Sequence, residues 1–253
     1  MKLHPYRIHL VQELPETDFP ARRVMCEELI NMFAEDEQTL ANICFSDEAP
    51  FHVGGCVNKH NCRIWGYENP PILVELPLNS PKVNVWMGVF KSRVMGPFFF
   101  QANTVTSHSY LAMLQTFLLP ELGRWHRRSH TIYQQEGAPP HGSLAVRTFL
   151  NDNFPQRWIG RDGLIHRAPR SPNLSPLDFF VWGYIKEGGY QQRVQNVGEL
   201  KTNIQQAASQ ITKEMLGNVY NNMLLIASGS VCQPMMGIFN IYYKLGLFLN
   251  HCV

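Results

Sequence analysis

The hydrophobic period of this chain changes at Ser107, and that change limits the fold more than any other feature. Upstream, apolar side chains alternate. In NICFSDEA, Ile43, Phe45 and Asp47 share one strand face, and VNVWMGVF, from Val83 to Phe90, is a further strand. A strand is also predicted over Asn61 to Gly66, and Gly96-Pro97 is read as turning the chain into or alongside Phe98 to Phe100. Downstream, Tyr110, Leu111, Leu114, Phe117 and Leu118 recur at helical spacing, with Pro120 and Gly123 marking the end of that helix.

The same reading gives a strand from Thr131 to Gln135, a helix from Ser143 to Leu150, a strand near Trp158 to Gly160 and a helix starting at Ser175. An amphipathic helix over Ala21 to Asp36 precedes them all. Three strands, helix, strand, helix, strand, helix is the order of an α/β domain with a mixed sheet. Its first strands are antiparallel and its later ones are joined through helices. Two more helices follow, one carrying Leu200, Ile204, Ala207 and Ile211, the next Met215, Val219 and Met223.

At 253 residues, 45% apolar and 17% charged, the chain suits one principal soluble domain. A net charge of +2 names no partner, but eight arginines stand against four acids between Glu121 and Arg170. That segment is either a surface that tracks phosphates or a solvated arginine face. The six cysteines follow a polar start with no secretory signal, so a reducing compartment is expected. The spacing of His52, Cys56, His60 and Cys62 does not match paired zinc ligands, which favours a hairpin with incidental Cys and His. The apolar stretch Met235 to Leu249 is short and contains Asn240 and Lys244, so no membrane span is expected.

Three acids lie at the ends of elements: Asp47 near the end of the first strand, Glu136 just after Thr131 to Gln135, and Asp178 in the first turn of a helix. Carboxylates crowded together resist ionisation unless a cation joins them, so convergence of the three would point to divalent metal. Each also has a structural reading. Ser175-Pro176-Leu177-Asp178 makes an effective helix start, Asp47 is suited to a surface turn beside Glu48, and Glu136 to the polar exit of a strand.

Taken in order, FSDEAPFHVGGCVNKHNCRIWG, SPKVNVWMGVF, GPFFF, QQEGAPPH, FPQRWIGRDG and RSPNLSPLDFFVWGYIK resemble the catalytic domain of mariner and Tc-type DDE/D transposases. The resemblance runs from about Leu3 to Asn222. It implies a ribonuclease H-like mixed sheet flanked by helices, with additional C-terminal helices. It also implies cleavage of DNA strands and joining of the freed 3′ hydroxyl to target DNA, using two magnesium or manganese ions. Carried across by motif, Asp47, Glu136 and Asp178 match the three catalytic metal ligands, with 41 residues between the last two (178 − 136 − 1). His141 matches a supporting histidine, and Arg167 and Arg170 are placed to meet DNA phosphates. DNA is the implied partner, a homodimer the implied assembly and the nucleus the implied location. Nothing indicates a membrane or a small-molecule substrate.

The wording departs from the family at three places. The second acid is ordinarily aspartate, and Glu136 is one methylene longer. Only 46 residues precede Asp47, where full members carry DNA-reading helix-turn-helix subdomains, and the text after Asn222 no longer resembles the family. The expected organisation is a helical lead-in over 1–40, the remnant of a linker to a missing DNA-binding domain. A catalytic domain over 41–225 and a divergent apolar tail over 226–253 complete it. Activity impaired by Glu136 is one expectation; an inactive nucleic-acid-binding remnant of a transposable element is the other.

Overall fold

The computed structural model describes residues 15–55 and 80–232. Helices α1 (Phe19–Glu35) and α2 (Glu37–Asn42) lead directly into strand β1 (Ile43–His52). Strands β2 (Lys82–Phe90) and β3 (Arg93–Phe99) follow. Helix α3 (Ser107–Met113) continues through a π-helical turn at Leu114–Leu118 into α4 (Leu119–Arg124). Next come β4 (Ile132–Gln134), α5 (Leu144–Asn153), β5 (Trp158–Gly160) and β6 (Ile165–His166). A second π-helical turn, Leu177–Val181, opens α6 (Trp182–Gly189), and α7 (Val197–Ser209) and α8 (Lys213–Cys232) follow.

The sheet order is β3-β2-β1-β4-β5-β6. Pairing is antiparallel across β1, β2 and β3 and parallel from β1 through β4 and β5 to β6. This is the mixed sheet that the order of elements implied. Side-chain alternation divides the core between its two faces. Ile43 and Phe45 of β1 and Val83, Val85, Met87 and Val89 of β2 pack with α1, α6, α7 and α8. Cys44, Trp86 and Phe90 face the other way, onto Tyr110, Met113, Leu114, Leu122, Val146 and Leu150 of α3 to α5. Met25, Cys26 and Leu29 of α1 are fully buried in the first layer, so the helical lead-in is part of the folded body. Helix α8 runs past residue 225, and the tyrosine hydroxyl of Tyr220 donates to Val89 O (2.6 Å).

Several local expectations are corrected. The chain turns at residues 91–92, and Gly96-Pro97 lies inside β3. There the register shifts between Trp86 and Gly88, and Gly96 takes φ +98°. A Cβ at that glycine would sit 3.1 Å from Trp86 O, so the residue serves a bulge. Pro120 does not end its helix. The π turn before it shifts the hydrogen bonding by one residue (Leu119 N to Leu114 O) and absorbs the missing N–H at the junction. Ser175 starts its helix through its backbone carbonyl, which accepts from Asp178 N and Phe179 N, and not through its hydroxyl. Strand β6 is too short for a periodicity signal. The strand expected over Asn61 to Gly66, Cys56, His60 and Cys62, and the tail from Met235 to Leu249 lie outside the described residues.

Candidate active site

Register brings the first two acids together. Strands β1 and β4 run parallel with Phe45 opposite Gln134. Two residues further along each chain stand Asp47 and Glu136, at the point where β4 stops and β1 continues beside β2 alone. Asp178 comes from the π turn that packs on β1. The carboxyl ends of parallel strands are where such sheets form sites.

Each acid is held above its ordinary pKa. For Asp47 the cause is burial first, then the charges of Asp178, Glu136 and Glu48; the shift is large. Its Oδ2 accepts from Trp182 Nε1 at 2.7 Å, which partly opposes the shift, and its Oδ1 accepts from Glu48 N at 2.7 Å. For Glu136, burial raises the value, Arg167 opposes it, and Asp178 and Glu48 add to it. Burial also raises Asp178, against Arg167, the nearby Ser175 hydroxyl and Lys186. No hydrogen bond of good geometry joins Ser175 Oγ to a partner among the described residues. The three acids therefore share one electrostatic neighbourhood.

His141 lies under this group as a clamp. Its Nδ1 meets Glu136 O at 2.9 Å and its Nε2 meets Glu48 Oε2 at 3.1 Å. A carbonyl and a carboxylate only accept, so satisfying both contacts requires the doubly protonated ring. Burial pulls the His141 pKa down, but the charge and hydrogen bond of Glu48 and the carbonyl of Glu136 outweigh it and leave the value raised. Tyr110 stacks on the imidazole with 4.1 Å between centroids, and its hydroxyl is bonded to Tyr133, which accepts from Ser46 Oγ. The supporting role expected of His141 thus has a physical form: it ties Glu136's backbone to the strand residue beside Asp47.

Sequence reasoning missed Glu48 and Trp182. Both carried a signal. Glu48 is the opposite-face neighbour of Asp47 on β1, and Trp182 follows Asp178 by four residues in one helical run.

The two arginines expected at DNA phosphates are placed differently. Arg167 is turned inward with its side chain only 3% exposed, and its Nη2 donates to Glu136 Oε1. Burial therefore removes it from a phosphate-binding surface. Arg170 is half-exposed, with its guanidinium fork on Asp18 at 2.5 and 2.6 Å. Other arginines of the basic segment also have partners within the protein: Arg127 on Asn42, Arg128 on Asn153, Arg157 on Thr131 O and Arg147 on Asp162.

The residue types suit a hard divalent cation, since all are carboxylate oxygen donors. Their spacing does not. Among the described residues no three His, Cys, Asp or Glu side chains are grouped closely enough to hold an ion. Asp47 is bonded to Trp182 and Glu48, and Glu136 to Arg167. As arranged, the group does not fit a metal.

The pKa shifts at the site have one sign. A carboxyl raised above its unfolded value, near 3.8 for Asp and 4.5 for Glu, lowers stability as pH rises through the interval. The contribution of His141 is full below 6.5 and is lost as pH climbs through its raised folded value. Stability from this cluster therefore falls as pH rises above the unfolded values, first for the carboxyls and then for His141. Asp18, lowered by its hydrogen bond to Arg170, works in the opposite sense and only below about 3.8.

No protein-family model matches the sequence, and no curated protein matches it. Solved structures do. The Mos1 transposase paired-end complex with left transposon end superposes with a TM-score of 0.70 at 20% identity, covering 91% of this chain and 65% of that one. The catalytic domain of Mos1 mariner transposase gives 0.67 at 19% identity, covering 88% of this chain and 96% of that domain. The fold is that of the Mos1 mariner transposase catalytic domain. A Mos1 mariner paired-end complex with Mn gives 0.72 at 20% identity. This chain spans about two-thirds of the length of the chains in the paired-end complexes and nearly the whole of the isolated catalytic domain. The ribonuclease H-like mixed sheet expected from the sequence is thus the observed fold.

Proposed function

We propose that this chain is a transposase-type DNA strand-cleaving and strand-joining core, with Asp47, Glu136 and Asp178 as its reactive acids. One observation carries the reading: the three acids, 131 residues apart at the extremes (178 − 47), meet at one end of a sheet with the fold of the Mos1 mariner transposase catalytic domain, where Asp178 and Glu136 raise the cost of charging Asp47. Structures of the Mos1 transposase catalytic domain with Mg and with Mn support divalent cations as the cofactor class. Asp47, Glu136 and Asp178 are the residues that would hold such a cation once rearranged, and it would supply the charge that phosphodiester chemistry needs. The chain's own contribution is to hold the acids on rigid elements. Trp182 and the Glu48 amide orient Asp47, and His141 holds the backbone of Glu136. DNA is the partner class, a homodimer the assembly suggested by paired-end complexes, and the nucleus the place of action on genomic DNA.

The inactive nucleic-acid-binding remnant is the second reading, favoured by the ion pair that occupies Glu136. Nicking of supercoiled plasmid with Mg2+ or Mn2+ separates the two. The first reading expects nicking by a Glu136→Asp variant, weaker in the wild-type chain. Plasmid binding by both proteins without nicking by either would leave the remnant reading in its place.

A further inference from the structure

We infer that Arg167 is a built-in cation of the acid cluster: its guanidinium, seated on Glu136, takes the place of a divalent ion and keeps the centre closed to metal until that pair is broken. The inference rests on the reading of Asp47, Glu136 and Asp178 as one reactive centre.

Arg167 follows β6 and is fixed from both sides. Its own amide donates to Gly160 O at 3.0 Å, and the next residue, Ala168, is buried with its amide on the sulfur of Met25 at 3.4 Å. The backbone is thus anchored on both sides of the residue, and the side chain itself is only 3% exposed beside Glu136. It enters a region that already holds four carboxylates, those of Asp47, Glu48, Glu136 and Asp178. One guanidinium nitrogen binds Glu136, while Nη1 is buried without a hydrogen-bond partner among the described residues. An arginine with one idle terminal nitrogen in a buried site is poorly explained by hydrogen bonding alone. Its positive charge accounts for it, because that charge acts on both Glu136 and Asp178.

Glutamate at position 136 completes the arrangement. An aspartate would withdraw the carboxylate by about 1.5 Å, one carbon–carbon bond, and lose the contact. With the pair formed, the Glu136 position is occupied by an opposite charge carried on the chain itself, beside acids that are not grouped to hold an ion among the described residues. Arg167 and Glu136 thus act as one lock.

The test measures metal binding in the absence of DNA. Mn2+ is titrated by calorimetry and electron paramagnetic resonance into the full chain, Arg167→Gln and Glu136→Asp, which break the pair from opposite sides. Mn2+ affinity at least about tenfold tighter in either variant than in the wild type is expected, with the unfolding midpoint of that variant rising on Mn2+ addition. Adding Asp47→Asn should remove the gain. Wild-type affinity equal to that of the variants overturns the inference, as does a folded Glu136→Asp chain that gains none when Arg167→Gln also gains none or does not fold. Gained Mn2+ affinity without plasmid nicking would leave the lock standing and remove the proposed catalytic function. Nicking by a wild-type chain that binds Mn2+ as tightly as the variants would do the reverse.

Discussion

Asp47→Asn, made in the Glu136→Asp background, is expected to abolish metal-dependent nicking while raising the stability of the chain at alkaline pH. Asparagine keeps the length of the side chain and one oxygen, which can accept from Trp182 Nε1, while the Glu48 amide loses its acceptor. What disappears is the charge. Loss of one electrostatic element of a reactive centre typically costs about 10²–10³ in rate, which places nicking at or below detection. The same charge is buried beside Asp178, Glu136 and Glu48. Removing it should raise stability more at about pH 8 than at about pH 5, because the cost of charging the native carboxyl grows as pH rises above the unfolded value near 3.8. Thermal unfolding at the two pH values reads this directly, at about 2–4 °C for each kcal/mol. A lower midpoint at both pH values would mean that the carboxylate holds the fold together.

Phe45→Ala should produce the largest loss of stability among single substitutions near the site, about 3–5 kcal/mol. Phe45 is fully buried near the start of β1, opposite both Val89 and Gln134, and meets Tyr220 edge-on at 5.6 Å. Its removal empties the junction of β1, β2 and α8, where main-chain hydrogen bonding leaves little room to collapse. A chain of ordinary stability, about 5–15 kcal/mol, would lose a large share of it. Val24 on the outer face of α1 is 49% exposed, and Val24→Ala should stay within about 0.5 kcal/mol. Urea unfolding of both variants checks the contrast; equal losses would mean that the buried layer is misassigned.

The fold was legible wherever a period extends over enough residues. The parity of Ile43, Phe45 and Asp47 placed a carboxylate on a core-facing row, and the structure puts Asp47 against Trp182 on that face. Helical spacing from Tyr110 to Leu118 located the helix but not its passage through Pro120, because a π turn leaves no mark in hydrophobic spacing. The two residues of β6 were too few to register. At the site, residue types were legible and orientations were not. Arg167 and Arg170 read alike as free cations in a basic segment, yet one is sealed against Glu136 and the other forks onto Asp18, 152 residues away in sequence. Burial of an arginine depends on which acids the tertiary fold brings to it, and no local pattern carries that information. The longer arm of Glu136 was visible as a departure, but its partner was not.

The central claim is that these acids form one cation-accepting centre, closed in this chain by Arg167. The most direct measurement is anomalous diffraction at the manganese edge from crystals of Arg167→Gln grown with Mn2+. The account predicts a peak within about 2.1 Å of carboxylate oxygens of Asp47 and Asp178. An ordered acid cluster with no manganese on it, or a peak only elsewhere on the protein, would contradict the claim.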